Sequence, residues 1–150
     1  MSTITLTGDD VIKLRERILT DFCEGDVGTL EYGEDLANTE VGKNGNAIIS
    51  FNEKGRKAVL VLRLIRGSAD DKFLNSERTQ YKTARANYNV MGGEVTSQLG
   101  DGQGNVTNDV DLLKGGVVSK MVPKKVNTSG DTTQAIAEYH VTFADSERVL

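Results

Sequence analysis

Arg56 to Gly67 reads RKAVLVLRLIRG, and the alternation inside it decides the fold. Ala58, Leu60, Leu62 and Leu64 fall on one face of an extended chain, while Val59, Val61 and Ile65 make the other almost as apolar, interrupted by Arg63. A strand apolar on both faces is buried on both. In a chain of 150 residues the second cover comes from its own helix or from another subunit.

Period-two patterning extends outward from this segment. In TTQAIAEYHVTF, Ala135, Ala137, Tyr139, Val141 and Phe143 share one face and Ile136, Glu138, His140 and Thr142 the other, which describes a half-buried strand. Further strands are predicted at Ile18 to Phe22, Val27 to Tyr32, Ala47 to Phe51, Tyr88 to Leu99, Val106 to Leu112, Val117 to Val122 and Ile4 to Thr7. Gly92 and Gly93 predict a bulge or sharp bend inside the fourth of these. One helix is expected from Ser68 to near Arg85. Ser68 is placed to cap its first turn, Asp70 and Asp71 put negative charge at the positive end of its dipole, and Phe73, Leu74, Tyr81 and Ala84 form a narrow apolar stripe. The expected class is therefore mainly β with one helix, in a single domain spanning residues 1–150, with no repeat or linker to divide it.

Composition narrows the functions. Hydrophobic residues at 37% and charged residues at 27% describe a soluble globular chain, and 16 glycines against one proline describe a chain rich in tight turns. A net charge of -4 is no footprint for gripping nucleic acid, which needs cations against phosphates. The lone Cys23 cannot form an internal disulfide and reads as a packing residue. The start, MSTITLTGDD, lacks the basic and apolar regions of a signal peptide, and the longest apolar run, Ala58 to Leu62, is far short of the roughly 20 residues of a membrane helix, so synthesis in the cytoplasm without membrane insertion is expected.

Chemistry-bearing motifs fail on spacing. GDGQGNVTND, Gly100 to Asp109, lacks the glycines of a nucleotide loop, and Val106 and Leu112 occupy the glycine and glutamate places of a calcium loop, so a hairpin tip is expected there. VGKNGNA, Val41 to Ala47, has no Ser or Thr after Lys43, and its Asn44-Gly45 marks the return of a long hairpin loop that begins near Gly33. His140 is the single histidine and lies on the polar face of its strand, so neither a zinc cluster nor a catalytic triad can be assembled. Asp9-Asp10 is assigned to a turn and Asp70-Asp71 to a helix start, which leaves Asp109 and Asp111, alternating on one strand face, as an acidic surface. No enzymatic activity, cofactor or metal is expected.

Four runs, ERILTDFCEGDVGTLEY, VGKNGNAIISFNEKGRKAVLVLRLIRGSADDKFLN, LGDGQGNVTNDVDLLKGGVVSK and GDTTQAIAEYHVTFADS, resemble the tail tube proteins of contractile-tailed bacteriophages. The likeness covers most of Glu16 to Ser146 and is strongest at GSADDKFLN and GDGQGNVT. It implies two packed antiparallel sheets, a barrel-like sandwich with a flanking helix, in a subunit that forms hexameric rings stacked as a hollow tube in the virion tail. Its implied partners are further copies of itself, the tail sheath and baseplate proteins, and genomic DNA passing through without specific binding. Glu94, Asp109, Asp111 and Glu138, on strands rather than turns, become candidates for an acidic lumen lining that repels phosphate. The loop Gly33 to Asn46, with Glu34, Asp35, Glu40, Lys43 and Asn44, becomes the candidate contact between stacked rings.

Three other readings compete with the tube. A tail terminator or baseplate-proximal ring protein would share the fold and differ in copy number, and a secretion-system tube protein would differ in its genomic neighbours. A monomeric β-sandwich that binds a ligand such as a carbohydrate belongs to another class, and the absence of Trp argues against its usual aromatic platform.

Overall fold

The structure is a computed structural model and describes residues 2–150. It is mainly β with one α-helix, in two antiparallel sheets. The strands are β1 (Thr5–Leu14), β2 (Arg17–Ile18), β3 (Gly28–Tyr32), β4 (Ala37–Val41), β5 (Ala47–Phe51), β6 (Ala58–Ile65), β7 (Met91–Gly100), β8 (Val106–Val118) and β9 (Ile136–Val149), with α1 (Ala69–Thr83) between β6 and β7. Seven strands form one open sheet in the order β2-β1-β7-β8-β9-β6-β3, and β4 and β5 form a ribbon of their own. The large sheet does not close into a barrel.

The quoted strand behaves as its pattern demands on one face only. Ala58, Leu60, Leu62 and Leu64 are buried in a core shared with Leu74 of α1 and Ala137, Tyr139, Val141 and Phe143 of β9. On the other face Val59 and Val61 are half-buried and Ile65 is exposed. The helix supplies one cover, and no second cover is present among the described residues.

Ser68 caps α1 by accepting from the Asp71 N–H, and Asp71 in turn accepts from the Gly67 N–H at 2.8 Å. Tyr139 reaches from the sheet to donate to the same Asp71 carboxylate, and Tyr81 donates to the Val118 carbonyl at 2.8 Å, so both ends of the helix are tied to the strands beneath. Burial together with this carboxylate contact raises the Tyr139 hydroxyl well above the ordinary tyrosine range.

Several boundaries differ from expectation. Residues 18–22 contribute only β2 and an isolated bridge from Phe22 to Leu64, because Phe22 meets the sheet without a run of partners. The predicted strands at 106–112 and 117–122 are joined as β8, which ends at Val118. Asp9 and Asp10 lie within β1 rather than in a turn; Gly8, at φ 74, absorbs a register shift there and pairing continues to Leu14. The irregularity foreseen at Gly92-Gly93 is present between Met91 and Gly93. A Cβ on Gly93 would stand 2.8 Å from Leu14 Cδ2 and 3.2 Å from Phe143 Cζ, so the strands close there only around glycine. The Gly100 to Asp109 stretch is a hairpin tip running into β8. Asp101 accepts from the N–H groups of Gln103 and Asn105 and from the Asn105 side chain, leaving its carboxylate occupied within the loop.

Candidate functional site

The ribbon of β4 and β5 is the most unusual surface of the molecule. Its register pairs Ala37 with Phe51, Thr39 with Ile49 and Val41 with Ala47 on one face, and Asn38 with Ser50 and Glu40 with Ile48 on the other. The first face is apolar apart from Thr39. Every residue of both strands is exposed, Phe51 at 82% and Val41 at 64%. An isolated two-stranded hairpin is marginal in water, and a lone soluble subunit rarely leaves a contiguous apolar face uncovered.

The base of this arm, by contrast, is clamped. The Asn52 N–H donates to the Leu36 carbonyl at 2.7 Å, and Gly55 is buried so close to the Asp35 backbone that a Cβ would fall 2.8 Å from it. Arg56 reaches Asp145 at 2.8 Å and Glu147 at 3.2 Å, while Ser146 Oγ donates to the Arg56 carbonyl at 2.8 Å. These contacts fasten the arm to β9. At the tip, the Gly42 N–H donates to the Asn46 carbonyl at 2.7 Å and Gly45 turns the chain at φ 85.

The structure places the candidate stacking residues on this arm. Glu34 and Asp35 lie at its base, Glu40 on β4, and Lys43 and Asn44 in the turn; all five are exposed. The candidate lining acids are not brought together. Val95 packs against the core and pairs with Asp111, so Asp111 and its alternate Asp109 point to the helix side of the sheet, whereas Glu94 points to the open side. Glu138, between buried Ala137 and Tyr139, also points to the open side, with His140 Nε2 3.2 Å from its carboxylate.

Charge state separates the pairs further. Arg148 donates twice to Asp109, at 2.9 Å to each oxygen, and this bond holds the Asp109 carboxyl below its ordinary range. Partial burial, reinforced by the Asp109 charge, raises Asp111. The helix-side acids are thus coupled to an arginine, and Glu94 and Glu138 are the candidates on the uncovered face.

Sequence reasoning missed a second constellation, the buried acids on the inner side of α1. Asp70, 1% exposed, accepts from Arg17 Nε at 2.8 Å and from the N–H groups of Thr20 and Asp21 at 2.8 and 2.9 Å. Burial opposes its charge, but those donors outweigh it and hold its carboxyl below the usual range. Glu77 meets Arg15 Nε at 2.9 Å and accepts from the Tyr88 hydroxyl at 2.9 Å; burial and this carboxylate push Tyr88 up to about 12. Arg15 and Glu16 form the β1–β2 turn with φ of 47 and 65, a mirror-image turn without glycine, held in part by the Arg15 ion pair. A signal existed at helical spacing: Asp70, Leu74, Glu77 and Tyr81 share one side of α1. This network docks the helix.

Comparison with protein-family models and with curated proteins gives no match. Among the described residues no group of acids, histidines and cysteines is placed to hold a metal ion, and no helix is long and apolar enough to cross a membrane.

Proposed function

We propose that this chain is a structural subunit that assembles with copies of itself, through its arm, into rings stacked as the hollow tube of a contractile phage tail. The observation that carries the proposal is the β4–β5 arm: clamped at its base, apolar on one face and covered by none of the described residues. A second uncovered surface supports it. The open face of the large sheet presents Val59, Val61 and Ile65 of β6 beside Ile136 of β9, and Val11, Leu112 and Val149 farther along. Two unlike sticky surfaces on one subunit favour a heterologous contact, which closes as a ring or continues as a filament.

In this tube Glu94 and Glu138 line the lumen and repel DNA phosphates, sheath and baseplate proteins bind the outside and the ends, and the assembly resides in the virion. The phage assignment itself rests on the resemblance of the four sequence runs. Electron microscopy of the purified protein, with mass from light scattering, tests the proposal. Rings or hollow tubes of uniform width are expected; a monodisperse monomer at high concentration counts against it.

A further inference from the structure

The chain is acidic overall, yet one groove is lined by five cations. A groove of about 330 Å³ opens between the first half of α1 and the segment following β8, and Arg66, Lys72, Arg78, Lys120 and Lys124 line it. None of the five forms an ion pair among the described residues, and the one acid in the lining, Asp71, is already engaged by the Gly67 N–H and the Tyr139 hydroxyl. The acids Asp70 and Glu77 cannot offset them from outside, because both are buried against Arg17 and Arg15.

The complementary charge lies at the other end of β6, the strand that Arg66 follows. From Glu31 to Asn46 the chain carries Glu31, Glu34, Asp35 and Glu40 against one basic residue, Lys43 at the tip, and the four acids are exposed and without an ion pair among the described residues. This segment joins the sheet where Tyr32 meets Ala58, at the start of β6, whereas Arg66 and Ile136 mark the groove at its finish. A strand of eight residues separates the two by roughly 25 Å.

We propose that the basic groove is the receptor for the acidic arm of a second copy of this chain. The occupant is set by charge and by placement: opposite poles at opposite ends of one strand cannot meet within a subunit but meet between subunits arranged head to tail. The inference rests on the assembly reading above and names the surface that receives the arm. Its long-range part is electrostatic, so added salt weakens it.

A charge-reversal pair of the full chain tests it. One variant carries Glu34→Lys, Asp35→Lys and Glu40→Lys; the other carries Lys72→Glu, Arg78→Glu and Lys124→Glu; circular dichroism and a thermal melt confirm that each folds. Each alone is expected to lose at least tenfold in sedimenting polymer, and an equimolar mixture to regain it, since each reversed pole finds its complement in the other variant. If either variant alone assembles as the wild type does, the groove contact is overturned while the assembly reading stands. If the mixture stays as dispersed as its components, the groove is likewise not the receptor. A wild-type chain that stays monomeric at the same concentrations overturns both.

Discussion

The helix α1 and the β4–β5 arm are both attached to the same sheet, and they are stabilised in opposite ways. The helix brings two carboxylates, Asp70 and Glu77, to its inner side, Asp70 neutralised by Arg17 of β2 and Glu77 by Arg15 of the β1–β2 turn; Arg17 also lies 5.4 Å over the Phe73 ring and Arg15 5.7 Å over the Tyr88 ring. Its two inner carboxylates are met within the chain. The arm is secured only at Asn52, Gly55 and Arg56, and beyond them it holds Ile49 and Phe51 out to water. The inner side of the helix is part of the body, whereas the apolar face of the arm is left bare.

Substituting the bare face should produce the largest effect that this contrast allows. Ile49→Asp with Phe51→Asp should abolish polymer while shifting stability by no more than about 0.5 kcal/mol, as exposed positions do. Sedimentation velocity and a thermal melt report the two quantities. A melt lowered by many degrees would show that the arm supports its own body, and the contrast would break.

For the helix the expectation reverses. Asp70→Ala strands Arg17 and two backbone N–H groups and should cost about 3 kcal/mol, read as a lower urea midpoint at unchanged slope. A loss under about 1 kcal/mol would mean that the network merely decorates the interface.

Glycines sharpen the comparison at a smaller scale. Gly93→Ala meets Leu14, Phe143 and the Lys13 carbonyl and should cost about 1–3 kcal/mol, while Gly33→Ala, with open space around it near the arm base, should fall within about 0.5 kcal/mol. Equal costs would mean that Gly33 sits in packed surroundings rather than in open space.

The smallest effect is a pH dependence. The folded carboxyl of Asp70 lies below its ordinary value of 3.8, so its contribution to stability is present at neutral pH and is lost as pH falls below about 4 toward the folded value. Acid titration of the melting temperature should therefore be shallower for Asp70→Asn than for the wild type. Parallel curves would remove Asp70 from the account.

The elements with strong periodicity were the legible ones. β6 and the first half of β9 declared themselves by alternation, and α1 by Ser68 and its acidic first turn. β4 was hidden because Ala37, Asn38 and Glu40 disfavour strands and leave Thr39 and Val41 isolated, so the segment owes its conformation to pairing with β5. β1 was legible only at Ile4 to Thr7, because Asp9-Asp10 interrupts the pattern and a glycine bulge carries the chain past it. Site residues followed the same logic. The exposed charges of the arm could be named from sequence, but the division of the four acids between two faces depends on register, and the value of Asp70 depends on Arg17, distant in the chain.

Strand order also sets a timetable. β9 lies between β8 and β6, and β1 pairs with β7, so the sheet has no centre until its last strand in sequence emerges. The arm is synthesised long before that, and at roughly 5–20 residues per second it waits several seconds with Ile48, Ile49 and Phe51 uncovered. Long-range pairing of this kind folds slowly. Through that interval β6 also lacks its β9 partner, so its apolar face waits exposed along with the arm, and a chaperone that shields Ala58–Ile65 until β9 docks would raise the yield of folded protein without touching its final stability.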